Sequence, residues 1–230
     1  MKKIGKLFPI FFVLLLVAEN TQGQKNEIGF SIGGLNYTGE VSPAYNVFHT
    51  RPAASLFYRL NVSPIIAIRT SVMAGGLYGN EKNSRNPVAA VRGAFFTTFI
   101  SEFSVMAEYN FFNYRGKKDD RRVCPYLVGG LGVFNSERRK GNYGNGSEYI
   151  ELSIPFGMGI KYKLSRVLNL GAEFVARKTG SDQLDGVSSQ YLGAQETANI
   201  FDKDWYYYGG FSLSYTFYKV ICHEAHEFAE

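Results

Sequence analysis

Apolar side chains in this chain recur at every second position, and they do so in eight separate segments. A period of two marks a β-strand with one apolar face, and it excludes an amphipathic helix over the same residues. The clearest run has Trp205, Tyr207, Gly209, Phe211, Leu213, Tyr215 and Phe217 on one parity. Tyr206, Tyr208, Gly210, Ser212, Ser214 and Thr216 occupy the other. Leu168, Leu170, Ala172, Phe174 and Ala176 alternate in the same way with Asn169, Gly171, Glu173, Val175 and Arg177. Leu152 to Ile160 alternates with Glu151, Ser153, Pro155, Gly157, Gly159 and Lys161; Phe99, Phe103, Val105, Ala107, Tyr109 and Phe111 alternate with Glu102, Ser104, Met106, Glu108 and Asn110. Four weaker strands complete the set: Glu27 to Tyr37, Pro52 to Asn61, Ile66 to Ala74, and Pro125 to Phe134. The last is so rich in glycine and apolar residues that its two faces look alike. Composition agrees, because aromatic residues at 16% and 25 glycines favour strands and tight turns over helices.

Strand length then narrows the architecture. Segments of ten or more residues exceed the five or six usual in soluble sheets, and tilted strands of about 9–11 residues are what a bilayer requires. The connections alternate long and short, the signature of an up-and-down transmembrane barrel with long outer loops and short periplasmic turns. The expected fold is therefore all-β, an eight-stranded antiparallel transmembrane barrel over residues 24–218. With the N-terminus in the periplasm, Thr38–Arg51, Gly79–Ala94, Asn135–Ser147 and Thr179–Asp204 become outer loops. Val62–Pro64, Asn113–Val123 and Lys163–Arg166 become periplasmic turns, and 219–230 a periplasmic tail.

Residues 1–23 read as an export signal: Lys2, Lys3 and Lys6 precede the apolar stretch Leu7–Ala18, followed by Thr21-Gln22-Gly23. Twelve apolar residues are too few to span a bilayer, which takes about 20. Cleavage removes three lysines and Glu19, taking the net charge from +5 to +3. So small and dispersed a charge gives no reason to expect nucleic acid. Export and the strand pattern together place the chain in the outer membrane.

The polar parities carry charge of both signs. Arg59, Arg69, Lys161 and Arg177 lie there beside Glu102, Glu108, Glu151 and Glu173. Eight strands enclose an interior only wide enough for side chains to fill, so these residues are expected to pair across a closed lumen. No catalytic or cofactor motif stands against that reading. Gly129-Gly130-Leu131-Gly132 and Gly157-Met158-Gly159 lie within strands, with no following helix to present amides to phosphate. Cys222, His223 and His226 lack the second anchoring pair of a metal site. His49, Asp182 and Ser188 are the residue types of a hydrolase with nothing to fix their geometry. No cofactor, metal, small-molecule substrate or enzymatic activity is expected.

Two features remain. The turn Arg115-Gly116-Lys117-Lys118-Asp119-Asp120-Arg121-Arg122 carries five cations and two anions. It is either a solvated or headgroup-touching turn, or a docking surface for a periplasmic partner through Arg115, Lys117, Lys118, Arg121 and Arg122. Cys124 and Cys222 both fall at the periplasmic end in an oxidising compartment. They can bridge to each other if the tail folds over the mouth, form mixed disulfides with a partner, or stay free.

Several stretches resemble the PorG-type outer-membrane proteins of the type IX secretion system. They are Glu27-Ile28-Gly29, Gly33-Gly34-Leu35-Asn36-Tyr37-Thr38-Gly39-Glu40, Arg51-Pro52-Ala53, Arg85-Asn86 and Glu108-Tyr109-Asn110-Phe111. Pro125-Tyr126, Ile154-Pro155-Phe156-Gly157, Asp182-Gln183-Leu184-Asp185-Gly186-Val187-Ser188 and Asp204-Trp205-Tyr206 follow in order, with Gly186 where the family more often has an acidic residue. The resemblance implies a small barrel that anchors, at the outer membrane, a periplasmic ring of the secretion and gliding machinery built from a lipoprotein and its partner. A surface-exposed adhesin or membrane-integrity barrel, binding through its outer loops, is the competing expectation.

Overall fold

The computed structural model describes residues 25–38, 49–80, 95–112, 122–141, 148–180 and 205–217. The predicted signal, the tail, most of the basic turn and most of the four long loops lie outside the described residues. Eight strands follow in order: β1 (Lys25–Thr38), β2 (Arg51–Asn61), β3 (Ile66–Asn80), β4 (Phe95–Asn110), β5 (Val123–Gly141), β6 (Glu148–Lys163), β7 (Leu168–Thr179) and β8 (Trp205–Phe217). Each pairs antiparallel with its neighbours in sequence, and β8 returns to β1 to close the barrel. The closing seam is continuous from Asn26↔Phe217 to Thr38↔Trp205, so the sheet has no unpaired edge.

Turn chemistry explains two of the short connections. Ser63 Oγ accepts from the backbone N–H of Ile66 at 2.9 Å, and Ser165 Oγ accepts from that of Leu168 at 3.0 Å. A serine hydroxyl can thus stand in for the backbone acceptor of a tight turn.

Strand ends differ from expectation on the outer side. Asn135–Gly141, expected in a loop, extends β5, and β3 runs on through Gly79 to Asn80, whereas β4 starts at Phe95, directly after the expected loop. The polar run Ser136-Glu137-Arg138-Arg139-Lys140 remains in the ladder because β4 supplies partners as far as Phe96↔Gly141, with β6 adding them on the other side as far as Glu137↔Glu148. Arg139 is the extra residue of a bulge, set between the pairs Thr97↔Lys140 and Thr98↔Arg138. A second interruption falls in the β5–β6 ladder, which skips from Gly129↔Phe156 to Gly132↔Ser153. Pro155 lies in that gap and brings no N–H to donate.

Alternation divides the barrel into two environments. Outward residues are apolar and exposed: Ile150 is 77% exposed, Phe211 74% and Leu131 68%. From Ile28 on β1 around to Phe217 on β8, every outward position in the middle of the strands is uncharged; among the described side chains the first charges at outward ladder positions are Glu137 and Lys178, at the outer ends of β5 and β7. Trp205 to Phe217 on β8 and Ile150 to Tyr162 on β6 each cover twelve residue steps. At about 3.4 Å per step and a tilt of about 45°, that is a belt about 29 Å tall. The apolar band of transmembrane barrels is about 25 Å, flanked by aromatic girdles. Here Tyr109, Phe111, Tyr162, Tyr215 and Phe217 form the girdle at the end bearing the short turns. No described helix is long and apolar enough to cross a membrane, which says nothing about strands.

The ambiguous strand β5 resolves clearly. Cys124, Tyr126, Val128, Phe134 and Ser136 are buried inside, while Val123, Leu127, Leu131 and Val133 face out. Large inward rings are accommodated by inward glycines on the neighbouring strand. Phe57 is paired with Gly29 and Tyr126 with Gly159; a Cβ added at Gly159 would meet the Tyr126 ring at 2.5 Å.

Candidate functional site: the filled lumen and the periplasmic rim

The inward faces assemble into two layers. Toward the outer end, Leu35, Tyr37, Ala53, Met73, Leu77, Ile100, Phe134, Tyr206 and Tyr208 form one apolar cluster. Leu35, Tyr37, Leu77, Ile100, Phe134 and Tyr206 are all 0% exposed, so this layer closes the lumen. Below it the interior is ionic.

Glu108 is the hub of the lower layer. It faces Arg59 Nε at 2.8 Å, Arg69 Nε at 3.2 Å and Lys161 Nζ at 2.5 Å. Each of the three cations has a second contact. Arg59 reaches Glu27 at 2.5 Å, Arg69 reaches Glu173 at 2.6 Å, and Lys161 donates to Asn110 Oδ1 at 2.8 Å. Tyr126 donates to Glu173 at 2.9 Å, Asn61 Nδ2 to Glu27 at 3.2 Å and Ser214 Oγ to Glu27 at 3.3 Å.

Closer to the apolar layer, Arg177 Nε pairs with Glu102 at 3.0 Å, and the Tyr206 hydroxyl donates to the same carboxylate. Each of these two carboxylates, Glu173 and Glu102, thus takes one tyrosine and one arginine.

The pairs join walls that face each other. β3 and β7 lie four strands apart in the closed order, as do β4 and β8, so Arg69–Glu173 and Tyr206–Glu102 cross the full lumen. The acidic members Glu102 and Glu108 come from one strand, six residues apart and therefore on one face. Four cations meet four carboxylates, Glu27, Glu102, Glu108 and Glu173, so the network is neutral. That balance matters: an uncompensated charge in such an interior is strongly destabilising, and a pair is tolerable when its remaining hydrogen bonds are satisfied.

Arg59, Arg69, Glu108, Lys161 and Glu173 therefore sit in one cluster and Glu102 with Arg177 in another. Glu151 lies farther out on β6, half-buried and cross-strand from Phe134. Glu27 did not emerge from the sequence reading, although its alternation with Ile28 already sets it on the inner face. Asn61, Tyr126 and Tyr206 were likewise unassigned as network members.

At the rim, Arg122 is exposed at the foot of β5, and its carbonyl accepts from the Lys163 N–H at 2.7 Å. Arg115, Lys117, Lys118 and Arg121 lie outside the described residues, as do Cys222, His223, His226, Asp182 and Ser188. Among the described residues Cys124 has no disulfide partner; its side chain is fully buried, with Sγ 3.2 Å from the Phe112 carbonyl oxygen. His49, just ahead of β2, is buried edge-on against Tyr78 at 5.3 Å, with the Arg51 guanidinium 4.7 Å over the same ring. Burial, and then the neighbouring Arg51 charge, push the His49 pKa below its ordinary value. Among the described residues no group of three or more His, Cys, Asp or Glu side chains could hold a metal.

The profile of a domain of unknown function, DUF6089, matches residues 5–226. The chain belongs to the DUF6089 family. No curated protein matches it. Among solved structures, the neisserial surface protein A is 10% identical, with a TM-score of 0.49 over 86% of this chain and 98% of that one. The N-terminal β-barrel domain of Pseudomonas aeruginosa OprF is 14% identical, with a TM-score of 0.46 over 85% of this chain and 100% of that one. Ail, the attachment invasion locus protein of Yersinia pestis, is 11% identical, with a TM-score of 0.45 over 86% and 100%. Such identities and scores transfer neither function nor site residues to this DUF6089 member.

Proposed function

We propose that this protein is a non-enzymatic outer-membrane barrel that anchors a periplasmic assembly at the membrane, its free rim serving as the attachment surface. The observation that carries this reading is the combination of an uncharged apolar exterior with a filled, charge-balanced lumen. Neither the exterior wall nor the interior offers a polar surface to a soluble partner, which leaves the two ends. The resemblance to PorG-type proteins supports the finer form of the proposal, in which the assembly is the lipoprotein-containing ring of the type IX secretion and gliding machinery. The basic turn, from Arg115 through Arg122, is the part of the rim suited to an acidic partner.

Crosslinking in intact membranes, followed by co-purification in mild detergent, tests this. Periplasmic proteins are expected in the wild-type eluate and lost on reversing Arg121 and Arg122 to Glu, with the barrel still folded. The attraction is expected to weaken with salt, since exposed charges are screened over about 8 Å at physiological ionic strength. Capture that depends on the outer loop 180–204 and ignores the turn assigns the function to the cell surface, as in an adhesin.

A further inference from the structure

We propose that the outer-leaflet wall of β1–β3 carries a binding site for a phosphorylated, acylated sugar of the lipid A class, its phosphate held by Arg51 and its chains lying on a strip of small residues beneath. This rests on the membrane reading above and adds a specific ligand to it. Arg51 opposes the lumen residue Leu35 in the ladder, yet its side chain turns to the outside. Gly76 and Tyr78 share the outward parity of Val72, which is 51% exposed. A Cβ added at Gly76 would lie 3.3 Å from the Arg51 Cβ, and the guanidinium sits 4.7 Å over the Tyr78 ring. Arg51 is exposed, and its guanidinium has neither an ion pair nor a hydrogen bond to any described residue. Stacking uses only the face of a guanidinium, so its fork of N–H donors stays free to meet two phosphate oxygens at once.

Neighbouring side chains hold this arrangement in place. His49 packs edge-on against Tyr78, with ring centroids 5.3 Å apart. Thr50 is exposed, and its Oγ1 accepts from Asn36 Nδ2 at 3.0 Å, so its own hydrogen can be donated to a ligand. Beneath them the wall dips. Gly34 pairs with Pro52 in one outward row, and Ala54 pairs with Ala74 in the next, with Ser101 beyond it on β4. Ile32, 61% exposed, and Leu56, 67% exposed, stand proud at the margins.

The other outward cation at this end has no such strip. Lys178 lies 5.5 Å over the Trp205 ring, but Phe174 stacked on Tyr207 at 5.8 Å and Phe156 edge-on to Trp205 at 5.7 Å fill the wall around it. Level and charge then choose the ligand. Arg51 lies at the end bearing the long connections, which is the outer face of such a barrel. An unpaired guanidinium and a hydroxyl at headgroup level, directly above a bare apolar strip, match a phosphate on a sugar whose acyl chains run down the wall.

The folded full chain in mild detergent is titrated with lipid A, with the same lipid stripped of phosphate, and with phosphatidylglycerol, and bound lipid is counted by native mass spectrometry. Lipid A is expected to bind about tenfold more tightly than its dephosphorylated form, the scale of one charge-assisted contact. Arg51→Gln is expected to bring that ratio close to one while lipid still binds, and Lys178→Gln to leave it unchanged. Ala74→Leu fills the strip and is expected to weaken both forms by about tenfold. Equal ratios in wild type and Arg51→Gln, or equal affinities in wild type and Ala74→Leu, from barrels that keep heat-modifiable gel mobility, overturn the site and leave the membrane reading standing. Phosphatidylglycerol bound as tightly as lipid A overturns the glycolipid assignment. A chain that stays folded and dispersed without detergent overturns both the site and the membrane reading.

Discussion

Removing the Glu108 carboxylate is the sharpest perturbation of the lumen. Glu108→Ala withdraws one anion from Arg59, Arg69 and Lys161 together, and the network of four cations and four carboxylates acquires a net positive charge. The three cations are not stranded: Arg59 keeps Glu27, Arg69 keeps Glu173 and Lys161 keeps Asn110. Breaking a buried ion pair by deleting one partner costs about 3–5 kcal/mol, and these retained contacts argue for the lower half of that range. At a urea slope of about 2 kcal/mol/M, a loss of about 3.5 kcal/mol moves the unfolding midpoint down by roughly 1.7 M. The assay is reversible urea unfolding of the barrel in vesicles, followed by the fluorescence of Trp205 and by the heat-modifiable band. Pairing the change with Lys161→Met restores neutrality, so the double variant is expected to recover about 1–3 kcal/mol relative to the sum of the single ones. A Glu108→Ala loss under about 1 kcal/mol, or strict additivity in the double variant, refutes a coupled network.

Three further outcomes follow from the same geometry. Gly159→Ala places a Cβ 2.5 Å from the Tyr126 ring, so it is expected to cost about 1–3 kcal/mol of folding stability, relieved when Tyr126 is also changed to Leu. The His49 pKa lies below its unfolded value, so the unfolded chain binds the extra proton first as pH falls. Stability is therefore expected to decline as the pH drops through about 6.5 toward the folded value, and His49→Phe removes that part of the pH dependence. Cys124 is expected to resist maleimide until the barrel unfolds, because its thiol is fully buried; a faster non-reduced monomer lost in both Cys124→Ser and Cys222→Ser shows instead that the two cysteines bridge.

The barrel was legible in the sequence because lipid imposes the strictest patterning rule available to a strand. Every second residue, the one facing lipid, must be uncharged, and β6 obeys this from Ile150 to Tyr162 and β8 from Trp205 to Phe217. Strand β5 defeated the same argument because its lumen face carries apolar residues in both layers. Val128 and Phe134 fill the inside while Leu127, Leu131 and Val133 face out, so polarity no longer distinguishes the two sides. The outer end of β5 was unreadable for a different reason: beyond the belt, neither face has to be apolar, and the ladder alone extends the strand. Within the lumen, alternation identifies which residues point inward and stops there. That Arg69 meets Glu173 on the opposite wall, or that three cations converge on Glu108, depends on barrel closure and register. Glu27 is the plainest omission, a strand-end residue whose significance appears only once Arg59, Asn61 and Ser214 are seen around it.

The central claim is that one parity of every strand faces hydrocarbon and the other faces a closed lumen. Nuclear Overhauser contacts between lipid acyl chains and backbone amides or methyl groups, recorded on the unmodified protein in nanodiscs, test it directly. Acyl-chain contacts are predicted at Ile28, Leu56, Val105, Leu152, Ile154 and Leu170, and none at the side chains of Met73, Met106, Val128 or Val175, which are at most 4% exposed. Contacts shared by both parities of any one strand, or water rather than lipid around Leu152 and Ile154, contradict the account.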